Sequence, residues 1–140
     1  MILFCDTSAL VKLYIAEPES RELKRHSAKA DAVAVCRIAW AEAHATFSRR
    51  AMEVSRDSAI IAQAKAALGR EWARFVFMEI TQPLVERAGD YADMFALRGY
   101  DSIQLAAAFE AGRISGSPVL FASYDSRLNK AARLLSMQCL

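Results

Sequence analysis

The sequence predicts an α/β fold, with a central, mostly parallel sheet of four to five strands flanked by helices. Short apolar runs alternate with segments whose apolar residues recur every three or four positions, which is typical of strands alternating with helices around a parallel sheet. The runs are apolar throughout, as expected for strands covered on both faces. The length of 140 residues, with 54% apolar and 24% charged residues, favours one globular domain spanning residues 1–140.

The first half of the chain contains two strand candidates and three helix candidates. In order, they are a strand at residues 2–6, a helix at 8–14, a polar helix at 19–30, a strand at 31–36 and a helix at 38–52. The third helix becomes basic near its end, and we expect a turn over residues 49–57.

The second half continues the alternation. Apolar residues at steps of three or four predict a helix with one face formed by Ile61, Ala64, Leu68, Trp72 and Phe75. The elements that follow are a strand at 76–80, a helix from Pro83 towards Gly99, a central apolar helix at 102–111, a strand at 119–123, a helix from Asp125 to Leu135 and a possible edge strand at 137–140.

Composition narrows the function classes. The N-terminus lacks the basic flank and the cleavage site of a signal peptide, and no apolar run reaches the ~18 residues of a membrane span. Three well-separated cysteines suit reduced thiols, so we expect a cytoplasmic protein. No zinc-type Cys/His spacing and no glycine-rich phosphate loop occurs. The formal net charge is +2.

Four acidic residues stand out by position: Asp6, Glu42, Asp101 and Asp125. Asp6 and Asp125 follow the first and fourth strand candidates, and ligands of open parallel sheets bind beyond the carboxyl ends of strands. Clustered carboxylates repel one another unless cations lie between them. Mg²⁺ and Mn²⁺ prefer oxygen ligands, so the four acids predict a divalent-metal site.

Helix capping is the alternative explanation for each aspartate. Asp6, Asp101 and Asp125 all precede predicted helices, where Asp is a favoured N-cap, and Gln104 completes a plausible capping box with Asp101. Glu42 has no such explanation. It lies on the stripe formed by Ile38, Ala41 and Ala45, which we expect to face the core, and an unpaired inward charge is costly. The combination favours a shared site.

Four segments carry a resemblance to a known family: CDTSALVKLY, IAWAEAHATF, RGYDSIQLAAA and FASYDSRLNKAARLL. Together they resemble the PIN domain, in particular the VapC-type toxins of toxin–antitoxin pairs, over essentially the whole chain. The resemblance implies an endoribonuclease in which Asp6, Glu42, Asp101 and Asp125 hold Mg²⁺ or Mn²⁺ and a metal-activated water attacks an RNA phosphodiester.

The resemblance also suggests roles for neighbouring residues. Ser123 matches the small hydroxyl residue two positions before the last acid, where it would position that acid or a water, and it is included among the catalytic residues. Thr7 and Ser8 match a polar pair that supports the site or caps the first helix. Ser102 and Gln104 stand where many relatives carry Ala and His. Five basic residues near the acids in sequence could hold RNA phosphates: Lys12, Arg37, Arg98, Arg127 and Lys130.

The family further suggests a homodimer and a cognate antitoxin, which lays an amphipathic segment into a groove beside the first helices. Leu13, Tyr14 and Leu23 could line such a groove or belong to the core.

A phospho-acceptor domain fits the sequence less well than a nuclease, because the strand at 76–80 offers Glu79 where that class needs Asp. The remaining alternative is a catalytically inactive PIN-like module that binds RNA or protein.

Overall fold

Five parallel strands form one sheet at the centre of the computed structural model, which describes residues 1–140. The strand order is β3-β2-β1-β4-β5, and each neighbouring pair is parallel. The strands are β1 (Ile2–Cys5), β2 (Ala32–Cys36), β3 (Val76–Met78), β4 (Val119–Ala122) and β5 (Gln138–Cys139). The predicted α/β class with a parallel sheet is confirmed, and residues 137–140 supply the expected edge strand.

Seven α-helices cover the two faces of the sheet. They are α1 (Thr7–Tyr14), α2 (Ser20–Lys29), α3 (Ala39–Glu53), α4 (Ser58–Glu71), α5 (Gln82–Phe95), α6 (Gly99–Ser115) and α7 (Ser126–Leu134). Short 3₁₀ turns precede and follow α4, at Ser55–Asp57 and Trp72–Arg74. None of the helices is long and apolar enough to cross a membrane.

Alternation along the strands divides the core between the two faces. In β1, Leu3 and Cys5 pack with residues of α1 to α4, whereas Phe4 packs with residues of α5 to α7. Phe4 and Phe121 are fully buried and stacked at 6.0 Å between ring centroids. Burying each such ring contributes about 1.5–3 kcal/mol. Leu23 is fully buried and belongs to the core.

The strand order creates a crevice beside β1. The chain proceeds from β1 outward to β2 and β3 on one side, and then crosses to β4 and β5 on the other. The direction of winding therefore reverses between β1 and β4, and the carboxyl ends of strands at such a switch point form the usual ligand crevice of open α/β sheets. Asp6 directly follows β1, and its N–H donates to the carbonyl of Ala122 at the end of β4 (3.1 Å).

Several predicted boundaries were wrong. The turn expected at residues 49–57 is helical as far as Glu53, because Arg49 to Glu53 are all residues that helices tolerate well, and the chain leaves α3 only at Val54. The third strand ends at Met78 rather than at residue 80. The central helix starts at Gly99 and ends at Ser115, where Gly116 adopts the left-handed conformation (φ 66°) that commonly terminates a helix.

Candidate active site

Asp6 is a buried carboxylate at the switch point, with 5% of its surface exposed. Its Oδ1 accepts hydrogen bonds from the Ser8 hydroxyl (2.6 Å) and the Ala9 N–H (3.0 Å), so it caps α1 as predicted. Burial raises the pKa of Asp6 to about 6, although hydrogen bonds from Ser123, Ser8 and Ala9 act in the opposite direction; the charge of Glu42 adds to the increase. Asp6 therefore caps α1 at a buried position where its ionised carboxylate destabilises the folded protein.

Glu42 is half-buried and held in place by two neutral donors. Its Oε1 accepts from the Thr7 hydroxyl (2.8 Å) and from Nε2 of Gln104 (2.7 Å), and the same Nε2 lies 3.2 Å from the Thr7 hydroxyl oxygen. Gln104 is 2% exposed, and its Oε1 is buried without a hydrogen-bond partner. Glu42 thus lies in a buried polar cluster that joins α1, α3 and α6.

Two predictions about this region were wrong. Gln104 does not form a capping box with Asp101, because its amide reaches Glu42, 62 positions earlier in the chain. The buried stripe of α3 is Ala39, Ala43 and Phe47, one position away from the expected stripe, and Ala41 and Ala45 are exposed. Glu42 consequently lies at the edge of the core and faces the crevice.

Asp101 occupies the first turn of α6, two positions after the first residue, and not the N-cap. Its side chain is 27% exposed and accepts from Nε of Arg98 at 3.2 Å. It lines a cavity of about 540 Å³ that Glu42 also lines. The side chain also lies in the first turn of α6, near the partial positive charge of the helix N-terminus.

Asp125 and Ser123 follow β4. Oδ1 of Asp125 accepts from the N–H groups of Arg127 (2.8 Å) and Leu128 (3.1 Å), so it caps α7 as predicted. The buried Ser123 hydroxyl accepts from the N–H of Asp125 (3.1 Å). The neighbouring Tyr124 N–H donates to the Ser8 hydroxyl (2.9 Å), which in turn donates to Asp6. The loop after β4 is thereby tied to the carboxylate after β1.

The structure brings Asp6 and Glu42 into electrostatic contact, gives Glu42 and Asp101 a common cavity and links the Asp125 loop to Asp6. It does not place any three acidic, histidine or cysteine side chains close enough to hold one ion as they stand. The donor chemistry nevertheless fits a hard divalent cation, because all four groups offer oxygen atoms. No basic side chain forms a salt bridge with Asp6, Glu42 or Asp125.

Four of the five basic residues predicted to hold RNA are engaged with other groups. Lys12 pairs with Glu17 and Glu19 and lies over the ring of Tyr124. Arg37 pairs with Glu79 (2.6 Å), and Arg98 pairs with Asp101. The Arg127 guanidinium donates to the carbonyl of Ala96 (3.0 Å). Lys130 is exposed on α7 and makes no ion pair.

Sequence reasoning missed Arg49 and Tyr100. Both line the 540 Å³ cavity and an adjoining cavity of about 650 Å³, together with Glu42. Arg49 lies seven positions after Glu42 on α3, a spacing that puts two residues on the same helix face. That spacing could have identified Arg49, but the expected turn over residues 49–57 concealed it. Tyr100 directly precedes Asp101 and had no separate signal.

The parallel sheet and the acidic side chains at its switch point agree with the resemblance to the PIN domain that the sequence carries. Residues 3–134 match the model of the PIN domain family, and the chain belongs to this family. Three solved structures share its fold. They are VapBC2 from Rickettsia felis bound to a DNA fragment from their promoter (TM-score 0.66, 12% identity, 100% of this chain and 98% of that chain), PAE2754 from Pyrobaculum aerophilum (0.63, 15%, 99% and 83%) and FitAcB from Neisseria gonorrhoeae (0.59, 16%, 100% and 96%).

Within that family, the chain is similar to VapC ribonucleases of Mycobacterium tuberculosis. It is 30% identical to Ribonuclease VapC46 of strain H37Rv over 135 residues, which cover 96% of this chain and 93% of that protein. It is 29% identical to Ribonuclease VapC45 of strain CDC 1551 and to Ribonuclease VapC49 of strain H37Rv, in each case over 131 residues, 94% of this chain and 89% of the relative. The predicted resemblance to the PIN domain and to VapC-type proteins is confirmed.

Proposed function

We propose that this protein is a metal-dependent endoribonuclease that hydrolyses RNA phosphodiester bonds and acts as the toxin of a toxin–antitoxin pair. The observation that carries the proposal is the pair of carboxylates, Asp6 and Glu42, at the switch point of the sheet. Both lack a basic partner, and burial raises the pKa of Asp6 to about 6. An enzyme that binds a cation there gains from this uncompensated charge, and the similarity to VapC ribonucleases supports the same activity.

In this proposal, Asp6, Glu42, Asp101 and Asp125 hold Mg²⁺ or Mn²⁺. A bound divalent ion supplies a Lewis acid for the phosphodiester and lowers the pKa of water towards neutrality. The chain itself fixes the carboxylates. Ser8 and the Ala9 N–H hold one oxygen of Asp6, while Thr7 and Gln104 hold one oxygen of Glu42.

Ser123 has a positioning role in the proposal. Its hydroxyl oxygen accepts from the Asp125 N–H, which leaves the hydroxyl hydrogen free to donate, and a hydrogen bond from Ser123 lowers the pKa of Asp6. One buried hydroxyl thus connects the carboxylates that follow β1 and β4. Loss of the Ser123 hydroxyl should therefore disturb the positions of both Asp6 and Asp125.

The test is cleavage of a mixed pool of structured RNAs by the purified protein. We expect cutting with Mg²⁺ or Mn²⁺, none with EDTA, and none with the Asp101→Asn variant, which also controls for contaminating nucleases. Cleavage that persists in the Asp101→Asn preparation would be evidence against the proposal. The variant keeps the shape of the side chain, and circular dichroism can verify that it folds.

A second candidate is a catalytically inactive PIN-like module that binds RNA or protein. The observation in its favour is that Asp101 pairs with Arg98 and Asp125 caps α7, so these two carboxylates already have partners. This candidate predicts RNA binding that is the same with and without divalent ions and no cutting under any condition. Titration with Mn²⁺ followed by electron paramagnetic resonance separates the two, because only the enzyme should bind Mn²⁺ at Asp6.

We further propose a homodimer in the cytoplasm and a cognate antitoxin that binds beside the first helices. Leu13 and Tyr14 line a cavity of about 530 Å³ between α1, α2 and α4, and its charged lining residues are Lys24, Arg74 and Glu71, of which Glu71 accepts a hydrogen bond from Tyr14. An amphipathic segment with acidic residues would fit this composition. Co-expression with the product of the adjacent gene, followed by light scattering, should yield a stable complex that contains two copies of this chain.

A further inference from the structure

The proposed nuclease site opens into a cleft formed by two adjoining cavities, of about 540 Å³ and 650 Å³. The cavities share three lining residues, which are Glu42, Arg49 and Tyr100. Because Glu42 is one of the proposed metal ligands, Arg49 and Tyr100 line the same cleft as the proposed site. Arg49 and Tyr100 are therefore in a position to contact the substrate.

Arg49 is the free cation of the cleft. Three basic residues line the larger cavity, and two of them are neutralised: Lys12 pairs with Glu17 and Glu19, and Arg50 pairs with Glu17. Arg49 forms no salt bridge, although Glu42 lines the same cavity. An unpaired guanidinium in this cleft is available to a phosphate, which it binds in a planar, two-point arrangement.

Tyr100 is the free aromatic ring of the cleft. Its surface is 62% exposed, and its ring takes part in no aromatic pair. Tyr124 also lines the larger cavity, but the ammonium of Lys12 covers its ring at 4.7 Å from the centroid. Tyr100 also lies next to Asp101, at the start of α6. A base stacked on Tyr100 would thus lie beside the proposed metal ligands.

We propose that single-stranded RNA crosses this cleft with a phosphate on Arg49 and an unpaired base stacked on Tyr100. The inference rests on the proposed function and assigns the two side chains of this chain that contact the RNA beside the proposed metal ligands. Stacking on a protein ring requires a base that has left its own helix, so loops and unpaired segments fit the cleft and paired stems do not. Stacking is also tolerant of sequence, so Tyr100 favours unpaired RNA without selecting one base.

The two contacts differ in their dependence on salt, and this difference gives the experiment. Binding of a fluorescent, unstructured 12-nucleotide RNA is measured by anisotropy in EDTA, where no cleavage is expected, at several salt concentrations. Arg49→Ala should weaken binding and reduce the slope of log affinity against log salt by about 0.7, the value for one phosphate of a single strand. Arg70→Ala, an exposed arginine on α4 that lines neither cavity, should change nothing.

Tyr100→Ala should weaken binding roughly 5- to 150-fold with an unchanged salt slope, because a base contact releases no counterions. Tyr100→Phe keeps the ring and should restore most of the affinity. Binding by Tyr100→Phe that is as weak as that of Tyr100→Ala would assign the effect to the hydroxyl and overturn the stacking contact. Equal affinity for a fully paired RNA hairpin stem would overturn the single-strand preference.

The controls separate this inference from the function on which it rests. If Arg49→Ala and Tyr100→Ala bind as the wild type does, while Asp101→Asn still abolishes cleavage, the enzyme stands and the docking path is wrong. If the wild type neither binds nor cuts RNA, both fail. Arg49 and Tyr100 are exposed, so their substitution should change the free energy of unfolding by no more than about 0.5 kcal/mol, which thermal melting can verify.

Discussion

Replacing Asp6 by Asn should stabilise the protein in the absence of metal. Asp6 is almost fully buried, and its pKa rises from 3.8 to about 6, chiefly because burial penalises the charged form. One pKa unit corresponds to about 1.4 kcal/mol, so ionised Asp6 costs the folded state about 3 kcal/mol at neutral pH. Asn is as good an N-cap as Asp and can still accept from the Ala9 N–H.

The sign of this effect depends on pH. Because the folded pKa of Asp6 exceeds the unfolded one, the folded protein binds more protons between pH 3.8 and 6, and the contribution of Asp6 to stability falls as pH rises through this window. Above about pH 7 the full cost is present. The gain of Asp6→Asn over the wild type should therefore be small near pH 4 and about 3 kcal/mol at pH 8. The other acids are common to both proteins and cancel in the difference.

The assay is urea unfolding followed by circular dichroism in EDTA, at pH 4 and pH 8. Asp6→Ala is the matched control, because it removes the same charge and also the cap, which costs about 1 kcal/mol at both pH values. A difference between Asp6→Asn and the wild type that does not change with pH, or a variant that is less stable at pH 8, would refute the reasoning. Adding Mg²⁺ at about 100 times its dissociation constant should then stabilise the wild type by about 2.7 kcal/mol and leave the variant unchanged.

Two further substitutions test the surroundings of the site. Gln104→Leu removes one of the two donors to Glu42 and should weaken Mn²⁺ binding by roughly 10- to 100-fold, the usual effect of losing a group that orients a metal ligand; a Mn²⁺ titration with unchanged affinity would contradict this role. Glu17→Gln removes the carboxylate that pairs with Lys12 and Arg50, so it should lower the free energy of unfolding in urea by roughly 1 to 3 kcal/mol. The two released cations should also steepen the salt dependence of RNA binding. An unchanged slope would show that Lys12 and Arg50 do not reach RNA.

The fold followed from the sequence to the extent that local patterns determine it. Strands buried on both faces are apolar throughout, so β1, β2 and β4 were recognisable, and helix capping by Asp6 and Asp125, which the sequence offered as an alternative to metal binding, is present in the structure. Helix ends were less predictable. The stretch from Arg49 to Glu53 was expected to turn, but it has no helix-breaking residue and consists of residues that helices tolerate well.

The candidate site was predictable residue by residue but not as an arrangement. Gln104 satisfied a local capping pattern with Asp101, yet its amide binds Glu42, because α6 on one face of the sheet meets α1 and α3 from the other face near the carboxyl end of β1. A local pattern cannot compete with a contact that tertiary packing brings within 2.7 Å. The basic residues show the same limit. Lys12 was predicted to hold RNA because it lies near Asp6 in sequence, but it pairs with Glu17, and the sequence did not reveal which cations remain unpaired.

The construction of the proposed site would link metal binding to folding. Asp6 and Asp125 both cap helices, and Glu42 joins three helices through Thr7 and Gln104, so the fold cannot move these carboxylates apart without losing its own hydrogen bonds. Their mutual repulsion is therefore retained in the folded state. A cation that enters the crevice removes that repulsion, and its binding free energy adds directly to the stability of the fold. The contribution of Asp6 to stability should therefore be least favourable above about pH 7 without divalent ions, and in the same pH range its ionised carboxylate should bind a cation most tightly.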